Sequence, residues 1–234
     1  MKKHVPNILT CCNLISGCIA TVYALTGTFD MALAFIITGA VFDFFDGMSA
    51  RLLKVSSPIG KELDSLADDI TFGLAPSAMV FYLLTVMNYP TWLEPARQVL
   101  PFAAFVMAAF SALRLAKFNL DTRQTTSFIG MPTPANALFW GSLIVGAGNS
   151  LMEPAYMVMA VLGMVALCSY IMVAEIPMFA LKFKHWGWKG NEVKYVFVAS
   201  CIPLLIIFRV SAFAIIIAWY VILSVYVNYK ETKR

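Results

Sequence analysis

Charge is the scarcest property of this chain. Only 13% of its 234 residues are Asp, Glu, Lys or Arg, against 60% hydrophobic residues. A water-soluble domain of this length would carry roughly a quarter charged residues and would need them to cover its surface. The mean hydropathy of +0.78 points the same way. These values exclude an ordinary soluble globule and indicate an integral membrane protein built as a single domain, residues 1–234.

Other absences narrow the reading further. Histidine occurs only twice, as His4 and His185, at the expected membrane edges and without ligand-spaced partners. Neither is assigned a role. No CxxC or Cys/His spacing accompanies the five cysteines, Cys11, Cys12, Cys18, Cys168 and Cys201, so they are read as small buried apolar residues. The chain has no low-complexity run, no long linker and no internal repeat. The "ISGC" at 15–18 resembles a lipoprotein cleavage box, but Pro6, Asn7 and Asn13 interrupt that run, and an uncleaved first helix is expected.

Apolar runs near the roughly 20 residues needed to cross a bilayer recur at 8–25, 31–50, 65–87, 99–118, 132–149, 154–181, 194–208 and 211–228. The expected fold is all-α: a polytopic bundle of about eight transmembrane helices with both termini cytoplasmic. The cations sort on this topology. Of 17 Lys and Arg residues, only Arg97 and Arg209 fall on the far side, leaving fifteen at cytoplasmic ends and loops. The net charge of +4 therefore reflects topology and contact with anionic headgroups, and no nucleic acid is implied. The loop "KFKHWGWKGNEVK" at 182–194 mixes lysines with Trp186 and Trp188 and reads as an interfacial anchor. "DTRQTTSFIGMPTP" at 121–134 reads as a polar loop, with Pro132 in the first turn of the next helix.

Against this background the stretch "DFFDGMSARLLKVSSPIGKELDSLAD" from position 43 stands out. Asp43, Asp46, Gly47 and Ala50 recur at helical spacing and share one face of the second helix. Gly60, Asp64 and Asp68 share a face of the third. A short loop holding Pro58 makes the two helices antiparallel neighbours, so four carboxylates converge. Like charges so close repel, and an ionisable group at membrane depth is costly unless it is paired or hydrated. A hard divalent cation resolves the conflict. Two ions roughly 4 Å apart, bridged by carboxylates, would form a clamp for displacement at phosphorus.

Gly47, Ala50 and Gly60 leave those faces without bulk, which suits either close helix packing or a slot for a diphosphate. Arg51 could neutralise phosphate or anchor the helix at the interface. Ser56, Ser57 and Lys61 could add donors, although loop serines usually only form turns.

The full pattern, D-x2-D-G-x2-A-R-x8-G-x3-D-x3-D, resembles the signature of the CDP-alcohol phosphotransferase family residue for residue. "SPIGKELDSLADDITFGLAP", "SALRLAKFN" and "FIGMPTPANA" further resemble the bacterial and archaeal membrane-type phosphatidylserine synthases. The resemblance implies that Asp43, Asp46, Asp64 and Asp68 hold a divalent metal, Mg²⁺ or Mn²⁺, and that Asp68 is the general base. It implies that Gly47, Ala50, Arg51, Ser57, Gly60, Asn7 and Thr10 border the CDP moiety. The implied substrates are CDP-diacylglycerol and L-serine, met at the cytoplasmic surface of a prokaryotic membrane among its lipids, and the implied assembly is a homodimer.

Serine's carboxylate demands a cation. Arg114 and Lys117, one turn apart, with Asn119 following, serve equally as that contact or as positive-inside anchors. Arg123 and Asn136 are further candidates. The basic "RLAK" patch also suits glycerol phosphate, inositol phosphate or choline chemistry in the same family. Buried acids can instead mark an ion-coupled transporter, but there is no second acidic cluster and no half-to-half similarity. An inactive lipid-binding relative is the third reading, and the complete motif opposes it. Asp69 stands where an apolar residue is expected; it points off the Asp64–Asp68 face, and its role is open.

Overall fold

A computed structural model describes residues 4–55, 57–121, 128–178, 187 and 191–232. Ser56, Arg123 and most of the basic, tryptophan-containing loop lie outside the described residues. The described chain is an all-α polytopic bundle. Its main helices are α1 (Val5–Leu25), α2 (Phe29–Leu53), α3 (Pro58–Val86), α4 (Leu100–Leu120), α5 (Thr133–Ala147), α6 (Met157–Val173), α7 (Glu192–Phe208) and α8 (Ala212–Thr232). Helices α1 to α4 and the continuous stretch Glu192–Lys230 are long and apolar enough to cross a membrane, and α6 is a shorter apolar helix.

Two boundaries differ from the expected spans. Helix α3 starts at Pro58 rather than near 65, because Pro58 opens the first turn and Ser57 caps it. The expected span 154–181 contracts to α6, because the chain turns extended after Val173. There β2 (Pro177–Met178) pairs antiparallel with β1 (Phe128–Ile129). Gly130 follows β1 with φ +73, and its amide donates to the Ile176 carbonyl at 2.9 Å. A Cβ at Gly130 would strike the Met172 carbonyl, so glycine is required there. Pro132 sits just before α5 in extended backbone rather than in its first turn.

Helix α3 is the axis of the bundle. Its second half carries Ala75, Met79, Val80, Leu83 and Leu84, all buried, and packs near α5 with Trp140 and α4 with Met107. The outer faces of α7 and α8 expose Ile202, Ile206, Ile207 and Ile222, as lipid contact requires. Cys11 and Cys18 are also exposed, on the outer side of α1, which corrects the expectation that all five cysteines are buried. They lie opposite the turns of α1 that face α2 and α3.

The first half of the bundle is organised by α1, not by the α2–α3 pair. Helix α1 packs along α2 and also along the Pro58–Asp68 part of α3, whereas the backbone of α2 hardly approaches that part of α3. The acid-bearing faces of α2 and α3 do meet, through their side chains, while α1 forms a common wall that packs along both. Below the aspartates the three helices close. Gly17 of α1 lies against the backbone of Thr71, and Gly39 of α2 lies against its methyl group. Small residues permit this approach.

A Cβ on Gly17 would come within 2.8 Å of Thr71 Cα, whereas one on Gly163 of α6 meets nothing within 4 Å. Gly17→Ala is expected to destabilise by roughly 1–3 kcal/mol through overpacking. Gly163→Ala, which only gains helix propensity, should leave stability equal or slightly higher. Thermal unfolding of the two variants in detergent checks the contrast.

Candidate active site

Carboxylate oxygens of Asp43, Asp64 and Asp68 all lie within 4.8 Å of one another. Asp43 comes from α2 and the other two from successive turns of α3, so the cluster closes only when the helices assemble. Asp43 and Asp64 approach within hydrogen-bonding reach of each other. Two acceptors so close need a proton or a cation between them. Asp64 Oδ1 is buried without a hydrogen-bond partner. Among the described residues, no Lys or Arg forms an ion pair with any of these aspartates. Three convergent carboxylates with an orphaned oxygen, and no ion-pairing cation among the described residues, fit a hard divalent cation.

Asp46 stands one turn from Asp43, buried, and accepts a short 2.6 Å hydrogen bond from Thr10 Oγ1. Asp46 and Asp64 together line a cleft of about 460 Å³ between α1, α2 and the start of α3. Ala50, Ser57, Gly60, Asn7 and Thr10 also line it, so the structure gathers most of the residues singled out in the sequence. The small residues divide in purpose. A Cβ on Gly47 would meet nothing within 4 Å, so this glycine borders open space. A Cβ on Gly60 would stand 3.0 Å from both Asn7 Oδ1 and Ser57 Oγ, so that glycine admits the approach of α1.

Some candidates are engaged elsewhere. Ser57 Oγ accepts from the Gly60 amide at 3.0 Å, as a helix cap. Arg51 is exposed and its Nε folds back to the Gly47 carbonyl at 3.0 Å. Lys61 Nζ donates to the Asn119 carbonyl at 2.9 Å, and Asn119 Nδ2 donates to Ser65 at 2.8 Å. Asn119 and Lys61 thus clip the end of α4 to α3. Arg114 and Lys117 part company: Lys117 is exposed, but Arg114 is only 7% exposed, with a buried, unpartnered Nε. Its guanidinium lies 5.9 Å from the Phe118 ring and within electrostatic range of Asp68. Such burial does not suit a headgroup anchor. Asn136 is fully buried on α5, and neither amide atom has a partner.

Asp69 opens a π-helical segment, Asp69–Leu74, directly after Asp68. That turn faces α4. Asp69 Oδ1 and Ser111 Oγ would lie 2.6 and 2.7 Å from a Gly73 Cβ, so this acid meets α4 and stays apart from the Asp43–Asp64–Asp68 group. One residue close to the aspartates was not singled out in the sequence. Asn13 Nδ2 donates to Asp68 Oδ1 at 3.0 Å. Its signal was the spacing Asn7, Thr10, Asn13, Gly17, which sets one polar or small residue per turn on the face of α1 that meets the acids.

The bundle and its carboxylate cluster beside an open cleft define a membrane-embedded protein whose clustered acids at one end of its helices fit a divalent cation. The chain belongs to the CDP-alcohol phosphatidyltransferase family, which it matches over residues 3–166. It is 34% identical over 194 residues to a CDP-diacylglycerol–serine O-phosphatidyltransferase of Bacillus subtilis, covering 81% of this chain and 95% of that one. A protein of the same name from Helicobacter pylori J99 is 28% identical over 222 residues, covering 94% and 89%. One from Saccharomyces cerevisiae is 35% identical over 147 residues, covering 56% and 50%.

Asp64→Asn removes a charge and puts an amide where the orphaned oxygen stands. Mn²⁺ binding to the detergent-solubilised protein, followed by electron paramagnetic resonance, should weaken more than about 10-fold. Asp30→Asn, at the far end of α2, should leave it unchanged.

Proposed function

We propose that the protein transfers the phosphatidyl group of CDP-diacylglycerol to the hydroxyl of L-serine, giving phosphatidylserine and CMP. The observation that carries this reading is the pooled Asp43–Asp64–Asp68 cluster opening onto a cleft, in a chain alike over nearly the whole length of the Bacillus subtilis enzyme. The cleft between α1 and α2 takes the CDP moiety. Gly47 leaves room for the diphosphate, Asp46 and Asp64 face it, and Asn7, Ala50, Ser57 and Gly60 line its walls. The acyl chains run outward into the bilayer, which is why the site lies in a membrane.

A bound Mg²⁺ or Mn²⁺, held by Asp43, Asp46, Asp64 and Asp68, would neutralise charge on the diphosphate during displacement. Asp68 accepts the proton of the serine hydroxyl, and that oxygen attacks the phosphorus bearing the diacylglycerol. The bond to CMP breaks, and CMP leaves with the electron pair. Arg114 supplies the cation for the serine carboxylate: it is buried, near Asp68 and free at Nε. Lys117, exposed one turn on, draws the acceptor from solution. The site faces the cytoplasm of a prokaryotic membrane, where serine and CMP are soluble, and the protein works as a homodimer.

Purified protein with CDP-diacylglycerol and Mn²⁺ should release CMP with serine and not with glycerol 3-phosphate, inositol phosphate or choline. The opposite preference would refute the acceptor. Asp68→Asn should cut the rate about 10²–10⁴-fold. Arg114→Leu should raise KM for serine at least about tenfold while leaving KM for CDP-diacylglycerol near its original value, since one charged hydrogen bond is lost at one substrate only.

A further inference from the structure

We propose that Asn13 is the positioning residue of the general base: its amide sets which oxygen of Asp68 is offered to the acceptor hydroxyl. The inference rests on the assignment of Asp68 as base. Asn13 is wholly buried, and Nδ2 donates to Asp68 Oδ1 at 3.0 Å. An ionised carboxylate only accepts, so the amide must present its NH₂ to Asp68 and its carbonyl elsewhere. That carbonyl oxygen, Oδ1, points toward Gly39 and has no hydrogen-bond partner. A flipped amide would set oxygen against oxygen. The Asp68 bond alone therefore fixes the amide, and the amide in turn fills one acceptor site on Oδ1 of Asp68, leaving that oxygen's second lone pair for a cation and Oδ2 for the reaction.

The surroundings hold Asn13 in register. Thr71, one turn beyond Asp68 on α3, donates from Oγ1 to the Asn13 backbone carbonyl at 3.1 Å. Gly39 has no side chain, and a Cβ there would come within 2.8 Å of Asn13 Oδ1. The same face of α1 serves Asp46 through Thr10, one turn earlier. Each of the two turns thus holds one aspartate, so α1 acts as a ruler along the acidic cluster. A general base works only within hydrogen-bond reach of the proton that it takes, and rotation of the Asp68 carboxylate would move its free oxygen out of that reach.

Asn13→Ala and Asn13→Asp distinguish this from packing. In the full-length enzyme, Asn13→Ala should lower kcat about 10–100-fold, the range seen when a partner that orients a reacting or ligating group is removed. KM for CDP-diacylglycerol and serine should stay within about threefold. Affinity for CDP with Mn²⁺, measured by calorimetry, should also hold, which shows that the site is folded. Asn13→Asp keeps the volume but sets a carboxylate against Asp68, so its kcat should fall below that of Asn13→Ala. A packing role predicts the reverse order, since the isosteric variant leaves no cavity. Near-normal kcat in Asn13→Ala, or higher kcat in Asn13→Asp than in Asn13→Ala, overturns the proposal. Should the wild type use another acceptor, the serine assignment falls, and the same kcat order is read with that acceptor.

Discussion

The repulsion among acidic side chains set inside a low-dielectric bundle is the constraint on which the rest of this structure depends. Each carboxylate there would cost several kcal/mol if left alone, and several together cost more. Neutralising them with lysines or arginines would close the site. Among the described residues the group has no ion-pair partner, and α1 packs along both α2 and the start of α3 to close the third side. The resulting cleft of about 460 Å³ borders a cluster whose charge suits a divalent ion.

That arrangement explains the division of the bundle into two parts. At the far end, Met79, Leu83, Leu84 and Trp140 form an apolar core that needs nothing from solution. At the acidic end, the helices close most tightly at the glycines, among them Gly17 and Gly39 against Thr71, just below the aspartates. The contact at Thr71 brings three helices together. The π-helical turn begins at the same level, where Asp68 faces Asn13 and Asp69 meets Ser111. Helix α3 can therefore carry two adjacent acids with separate surroundings.

Burial changed the reading of the cations more than that of the acids. In the sequence, Arg114 and Lys117 form a pair at the end of a helix, and either could anchor the membrane interface. In the fold, α4 packs against α3 and α6, which encloses Arg114 and leaves Lys117 outside. Asn119 looked equally available as a substrate contact, but its hydrogen bonds to Lys61 and Ser65 tie two helices together. Periodicity alone cannot distinguish these fates, because it reports the face of a helix and not what covers it.

The all-α membrane fold, the helix order and the acidic cluster were legible in the sequence itself. Apolar runs of spanning length allow little else in a bilayer, and helical spacing puts Asp43 with Asp46 and Asp64 with Asp68. Asn13 and Asp68, 55 positions apart, meet only because glycines let α1 and α3 approach, and no local pattern encodes that distance. Tertiary structure alone decided that α1 walls the site, meeting Asp46 through Thr10 and Asp68 through Asn13. Side-chain volume and charge at several distant positions set the angle between helices together, and that balance exists only in the assembled bundle.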